Sequence, residues 1–177
     1  NLIHNYKYLS SISKSSLAGA TIKANAYGLG DIEVFKILYK AGCKHFFVAT
    51  FKEAIDIRKK YKIGFIYILN GLNKNNIKYL INEKNTIPII NSIENLKEIQ
   101  KKILDIKKII NIGIHIDTGI NRLGLNYEEF KKYKINKKLK IFIILTHLAS
   151  ADEKNNNYNT LQNTKFKKAI KNPAVSF

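Results

Sequence analysis

Methionine is absent from the chain, even at position 1. The sequence begins with what reads as a helix, NLIHNYKYLSSI, and stops at Phe177 just after another helix-like stretch. We therefore expect part of a longer protein. Cysteine is nearly absent too: one residue, Cys43, excludes an internal disulfide and any cysteine-based zinc cluster. A reducing compartment is the natural inference, which agrees with a cytoplasmic protein. Cys43 itself, beside Gly42 in KAGCKHFFV, reads as a small residue at a helix-to-strand junction. No apolar run reaches the ~18 residues of a membrane span, and no signal peptide is visible at this N-terminus. No His/Asp/Glu spacing suggests a metal site.

Acidic residues are scarce: Asp+Glu 13 against Lys+Arg 31, for a net charge of +18. Such a charge raises the question of nucleic acid. Composition answers it. Ile, Lys and Asn make up about 80 of the 177 residues, as a genome poor in G and C would give. The lysines are spread along the chain in pairs such as Lys59-Lys60, Lys101-Lys102 and Lys131-Lys132. No arginine-rich run or aromatic RNA-binding motif accompanies them. A nucleic-acid partner is not expected. Arginine is rare, with only Arg58 and Arg122 among the 31 basic residues.

Apolar runs of strand length recur, each followed by an amphipathic stretch, which is the pattern of βα units in a parallel sheet. The expected strands are Leu17–Lys23, His45–Thr50, Ile63–Leu69, Thr86–Ile90, Ile109–Asp117 and Leu139–His147. The expected helices cover Asp31–Lys40, FKEAIDIRKKY from Phe51, Asn75–Asn82, SIENLKEIQKKI from Ser92, Tyr127–Tyr133, and a last one ending near Ile170. Ser92 is the expected N-cap of its helix. Six such repeats fit an open doubly wound sheet or a (β/α)8 barrel cut short. The glycine-rich phosphate fingerprint of dinucleotide folds is missing after the first strand. Distinctive polar residues sit at the ends of several strands instead: Lys23, Asp117 to Arg122, and His147. Barrel enzymes build their sites at that rim. The fold expected is α/β, the N-terminal, incomplete portion of a (β/α)8 TIM-type barrel.

Lys23, in TIKANAYGLGD, follows an apolar run and precedes small residues. A strand-end lysine partly removed from water favours its neutral, nucleophilic form, which attacks carbonyls or acts as a base. The bland alternative is a lysine reaching solvent. Tyr27 could aim its hydroxyl at the same place. Arg122, in DTGINRLG, stands where this composition would otherwise supply lysine. Its planar fork grips a carboxylate or phenolate; the alternative is a structural pair with Asp117. His147, in LTHLASAD, is either a packed strand-end histidine or part of the same rim. His115 is intermediate, His4 and His45 read as structural, and Arg58 reads as a helix-surface or packing residue.

Taken together, IKANAYGLG, HIDTGINRLG and THLASAD resemble three signature segments of alanine racemase, in that family's order and at about its spacing. AGCKHFFVATFKEAIDIR and PIINSIENLKEI resemble the segments between. The resemblance covers essentially the whole chain. It implies an enzyme dependent on pyridoxal 5'-phosphate (PLP), with residues 1–177 as a truncated N-terminal barrel domain and a β-rich C-terminal domain absent. It implies that Lys23 holds PLP as a Schiff base and handles the Cα proton of the D-enantiomer. Tyr27 would bond the phosphate. Arg122 would contact the phenolic oxygen and the substrate carboxylate, His147 would lie against the pyridine ring, and Asp152 near the substrate entrance. A cytoplasmic homodimer supplying D-alanine to peptidoglycan is implied when the protein is full length.

Three departures stand out. Leu29 replaces the usual histidine of AYGHG. His115 stands where many members carry a carbamylated lysine that braces the arginine, so Asp117 or a chloride ion would have to serve. The opposing base, a tyrosine of the other subunit, and most phosphate donors lie outside these residues, so the fragment alone should be inactive. Competing readings are a non-catalytic PLP-binding barrel, and a PLP racemase or decarboxylase for another amino acid.

Overall fold

The computed structural model describes residues 1–12, 15–72 and 76–171. Its elements, in chain order, are α1 (Leu2–Ile12), β1 (Ala20–Thr21), α2 (Lys23–Tyr27), α3 (Asp31–Lys40), β2 (His45–Val48), α4 (Phe51–Lys60), β3 (Phe65–Ile68), α5 (Ile77–Leu80), β4 (Thr86–Ile90), α6 (Ile93–Lys102), β5 (Ile110–His115), α7 (Tyr127–Phe130), β6 (Leu139–Leu145) and α8 (Asn157–Ile170). Strand order follows chain order. The chain divides into two compact units, the first comprising 1–71 with 85–87, the second 72–84 with 88–177.

In the first unit β1, β2 and β3 pair in parallel, with Thr21 opposite Phe47 and Phe46 opposite Ile66. Helix α3 turns Val34, Phe35 and Leu38 inward, at the spacing of one helical face. Phe35 packs on Phe46 with ring centroids 4.2 Å apart and on Tyr61 at 5.2 Å. Helix α4 starts with a capping box: Thr50 Oγ1 accepts from the Glu53 N–H, and Glu53 accepts from the Thr50 N–H. The sequence signal, T-x-x-E in TFKE, was there to be read. Cys43 is buried between α3 and β2, as expected.

Of the two readings open for Arg58, helix surface or packing, the structure shows the second. Arg58 is 1% exposed, a buried cation clamped by oxygen atoms. Its Nε donates to Thr86 Oγ1 at 2.9 Å, and its Nη atoms donate to the carbonyls of Ile63 (2.7 Å), Gly64 (2.9 Å) and Asn85 (2.8 Å). The fork thereby ties the end of α4 to the turn before β3 and to the start of β4. Lysine, with three donors on one atom, could not span this set.

In the second unit β5 pairs in parallel with both β4 and β6. The register on β6 shifts between Ile112 and Gly113. Gly113 has no room for a side chain: a Cβ there would come within 2.8 Å of Ile143 Cγ2. Helix α6 is capped by Ser92, whose Oγ accepts from the Asn95 N–H at 3.1 Å, as expected. It buries Ile93, Leu96 and Ile99. Each such side chain contributes about 1.5–3 kcal/mol on burial.

One expectation is corrected at β1. The expected strand Leu17–Lys23 shrinks to Ala20–Thr21, because only these two residues find parallel partners on β2, and Leu17 is left 84% exposed. Lys23 therefore does not end a strand; it opens a short turn of helix.

Candidate active site

That turn has the opposite hand to ordinary helices. Ala24, Asn25, Ala26 and Tyr27 all have φ between 52° and 55°. Left-handed backbone costs an L-residue about 1–2 kcal/mol because Cβ crowds the following carbonyl. Four non-glycine residues in succession hold it only because hydrogen bonds enforce it. The Ala26 N–H donates to the Ile22 carbonyl at 3.0 Å, and the Gly30 N–H to that of Asn25 at 2.9 Å. Asn25 Oδ1 accepts from the Asp31 N–H at 3.1 Å. The Ala24 N–H donates to Glu53 Oε1 at 2.8 Å. Gly28 (φ 93°) and Gly30 (φ 89°) let the chain leave the turn and enter α3.

Lys23 sits at the head of this turn, half-buried, and its amine makes no hydrogen bond or ion pair with any described residue. Tyr27 ends the turn, 66% exposed, its hydroxyl equally uncommitted. Lys23 and Tyr27 are the candidates that the sequence offered; the left-handed turn between them and the reach of Glu53 had no clear signal there.

The second unit carries the other candidates. After β5 the chain doubles back: the Leu125 N–H donates to the His115 carbonyl at 2.7 Å, and the Asp117 N–H to the Leu125 carbonyl at 3.1 Å. Gly124 (φ 122°) makes this closure possible, since a Cβ there would lie 2.6 Å from the Asp117 nitrogen. Asp117 Oδ1 accepts from the N–H groups of Gly119 (2.8 Å) and Asn121 (3.2 Å), so it shapes the loop. The expected alternative, an Asp117–Arg122 pair, is not formed. Arg122 stands exposed on the loop with no hydrogen bond or ion pair to a described residue.

His115 lies beneath, 6% exposed. Its Nδ1 is 2.9 Å from Asn91 Oδ1, which can only accept, so Nδ1 carries the proton and Nε2 is a bare acceptor. Nε2 is buried and has no hydrogen-bond partner among the described residues. Burial holds the His115 pKa below the usual histidine range; Asp117 acts against this, while His147 and Arg122 reinforce it. His115, Asp117, Arg122 and His147 are thus one electrostatic neighbourhood.

His147, exposed just after β6, is placed through its backbone. Gln162 of α8, fully buried, donates from Nε2 to the His147 carbonyl at 3.1 Å and to Thr118 Oγ1 at 3.0 Å. Its Oε1 accepts from the Ala149 N–H at 2.8 Å. Thr118 and Thr146 share a further bond of 2.8 Å. Nothing in the sequence singled out Gln162 within a polar helix. Asp152 is exposed in the loop that follows. His45, read as structural, bonds the Tyr67 hydroxyl at 2.8 Å and stacks on Phe65. Burial pushes the Tyr67 hydroxyl up to about 12.

Parallel βα repeats in strict chain order, with polar side chains where strands give way to loops, define the N-terminal part of a TIM-type barrel. The chain belongs to the alanine racemase family: the model for "Alanine racemase, N-terminal domain" matches residues 1–175. It is 38% identical over 170 residues to an alanine racemase of Rickettsia prowazekii, a match covering 93% of this chain and 42% of the relative. Among solved structures it resembles the alanine racemase of Bartonella henselae with covalently bound pyridoxal phosphate. There the TM-score is 0.88 at 30% identity, covering 97% of this chain and 51% of the other. A histidine racemase from Leuconostoc mesenteroides subsp. sake shares the fold, with a TM-score of 0.84 at 23% identity over 94% of this chain and 46% of that one. The chain spans about half the length of these relatives or less. Among the described residues no helix is long and apolar enough to cross a membrane.

Proposed function

We propose that this chain is the PLP-carrying part of an alanine racemase, and that Lys23 is the attachment point. The observation that carries the reading is the uncommitted Lys23 amine on an enforced left-handed turn, in a chain of this family. The attachment residue fits the cofactor: an aldehyde needs a primary amine free to react, and the Lys23 amine is without a partner among the described residues. Bound PLP would supply an electron sink for the charge left when the Cα proton departs.

The protein's own groups do the rest. Lys23 would serve as the base that takes and returns the substrate's Cα proton on one face. The fork of Arg122 would hold the substrate carboxylate and the cofactor's phenolic oxygen. His115 Nε2 offers a lone pair to a donor such as that guanidinium, in place of the carbamylated lysine of other members. Tyr27 would hold the cofactor's phosphate, His147 would help hold its ring, and Asp152 would line the substrate's approach. Racemisation also needs a proton-transferring group on the opposite face. We assign that group to the partner subunit of a cytoplasmic homodimer, with D-alanine going to peptidoglycan. Residues 1–177 alone are then inactive.

The test is Cα exchange on the full-length protein with PLP and L-alanine in deuterated water. D-Alanine carrying deuterium is expected, and Lys23→Ala should lower kcat by at least about 100-fold. Attachment of PLP without Cα exchange would instead mean a cofactor carrier.

A further inference from the structure

Glu53 connects two features that the sequence gives no reason to join. Its Oε2 accepts from the N–H groups of Ala49 (2.7 Å) and Thr50 (2.8 Å), completing the cap of α4. Its Oε1 accepts from the Ala24 N–H at 2.8 Å, across 29 residues of sequence. The peptide so bonded is the one that joins Lys23 to Ala24. The first N–H of a helical turn has no partner inside that turn; here a carboxylate of another helix supplies it.

We propose that Glu53 is the positioning residue that aims Lys23. By fixing the plane of the Lys23–Ala24 peptide, it sets the direction in which the lysine side chain leaves the backbone, at the head of the strained turn. A charge-assisted bond of this kind is the strongest single tether the turn has. The aim of Lys23 matters for catalysis only on the function proposed above, whereas the tether itself can be judged without it.

The two oxygens allow the roles to be separated. In Glu53→Gln the amide carbonyl can keep the cap, a position glutamine fills well, while its NH2 group faces Ala24 and cannot accept. Thr50→Ala does the reverse: it removes the cap hydroxyl and leaves the carboxylate on Ala24. The experiment measures amide hydrogen exchange at Ala24, together with kcat and KM for alanine, in the full-length protein with PLP. Glu53→Gln is expected to speed exchange at Ala24 about tenfold or more. It should lower kcat on the order of 10- to 100-fold with little change in KM, the effect of a misplaced reacting group. Thr50→Ala should leave both near wild type. If Glu53→Gln does not fold, Glu53→Asp, which keeps the charge and shortens the reach, should show the same faster exchange. Unchanged Ala24 exchange in the glutamine variant would overturn the proposal. So would an equal loss of kcat in Thr50→Ala. Should the wild type neither attach PLP at Lys23 nor racemise alanine, the proposed function fails, while exchange at Ala24 still decides the tether.

Discussion

Gln162 and Thr118 are bonded side chain to side chain at 3.0 Å, both buried, though 44 residues separate them. Through the same amide, Gln162 also holds the His147 carbonyl and the Ala149 N–H. One side chain thus fixes where the chain goes after β6. Gln162→Leu removes the bonds that tie this segment to α8, one of them to the buried Thr118. A loss of about 2 kcal/mol or more is expected, since each such bond contributes roughly 0.5–1.5 kcal/mol. Urea unfolding measures it.

Gly124 is a site where the smallest addition should be felt. Its φ of 122° disfavours any side chain, and a Cβ would press on the Asp117 nitrogen. Gly124→Ala is expected to destabilise by about 1–3 kcal/mol and to displace the loop bearing Arg122. A lowered thermal midpoint together with a raised KM for alanine would agree.

Arg58→Leu removes a buried cation together with its bonds to the carbonyls of Ile63, Gly64 and Asn85. At least about 3 kcal/mol should be lost, because bonds to charged groups are the stronger class, at about 1.5–3 kcal/mol each, and several end at once. Arg58→Lys should recover only part. Chemical denaturation of both variants, compared with wild type, decides this.

Stability should fall in mild acid. Burial lowers the pKa of both His115 and His45 below the ordinary value of 6.5. Between the folded value and 6.5 the unfolded chain binds more protons than the folded one, so stability rises with pH. The contribution is fully present above about pH 6.5 and is lost as pH falls through the depressed folded values. The urea midpoint is expected to drop between pH 7 and pH 5. Replacing both histidines by glutamine should flatten that dependence.

The sequence made the periodic elements legible. Asp31–Lys40 and Thr86–Ile90 lie where periodicity places them, because an amphipathic face and a continuous apolar run each have one way to be buried. Lys23, Tyr27, Arg122 and His147 stood out by residue type and setting. What stayed hidden depends on contacts distant in sequence. Ala24 and Ala26 have no intrinsic reason to be left-handed; Asn25 and Gly28 were the local hints. Glu53 was legible as a cap but not as a partner of Ala24. Arg58 could be read as a surface or a packing residue, and the choice stayed open because most of its acceptors are backbone carbonyls, which no side-chain pattern announces.

The central claim is that one amine among the many lysines of this chain is reserved for PLP. Incubating the full-length protein with PLP, reducing with borohydride and mapping the modified peptides by mass spectrometry tests it directly. The account predicts stoichiometric labelling confined to Lys23 and lost in Lys23→Ala. Labelling scattered over the surface lysines, or undiminished in that variant, would contradict it.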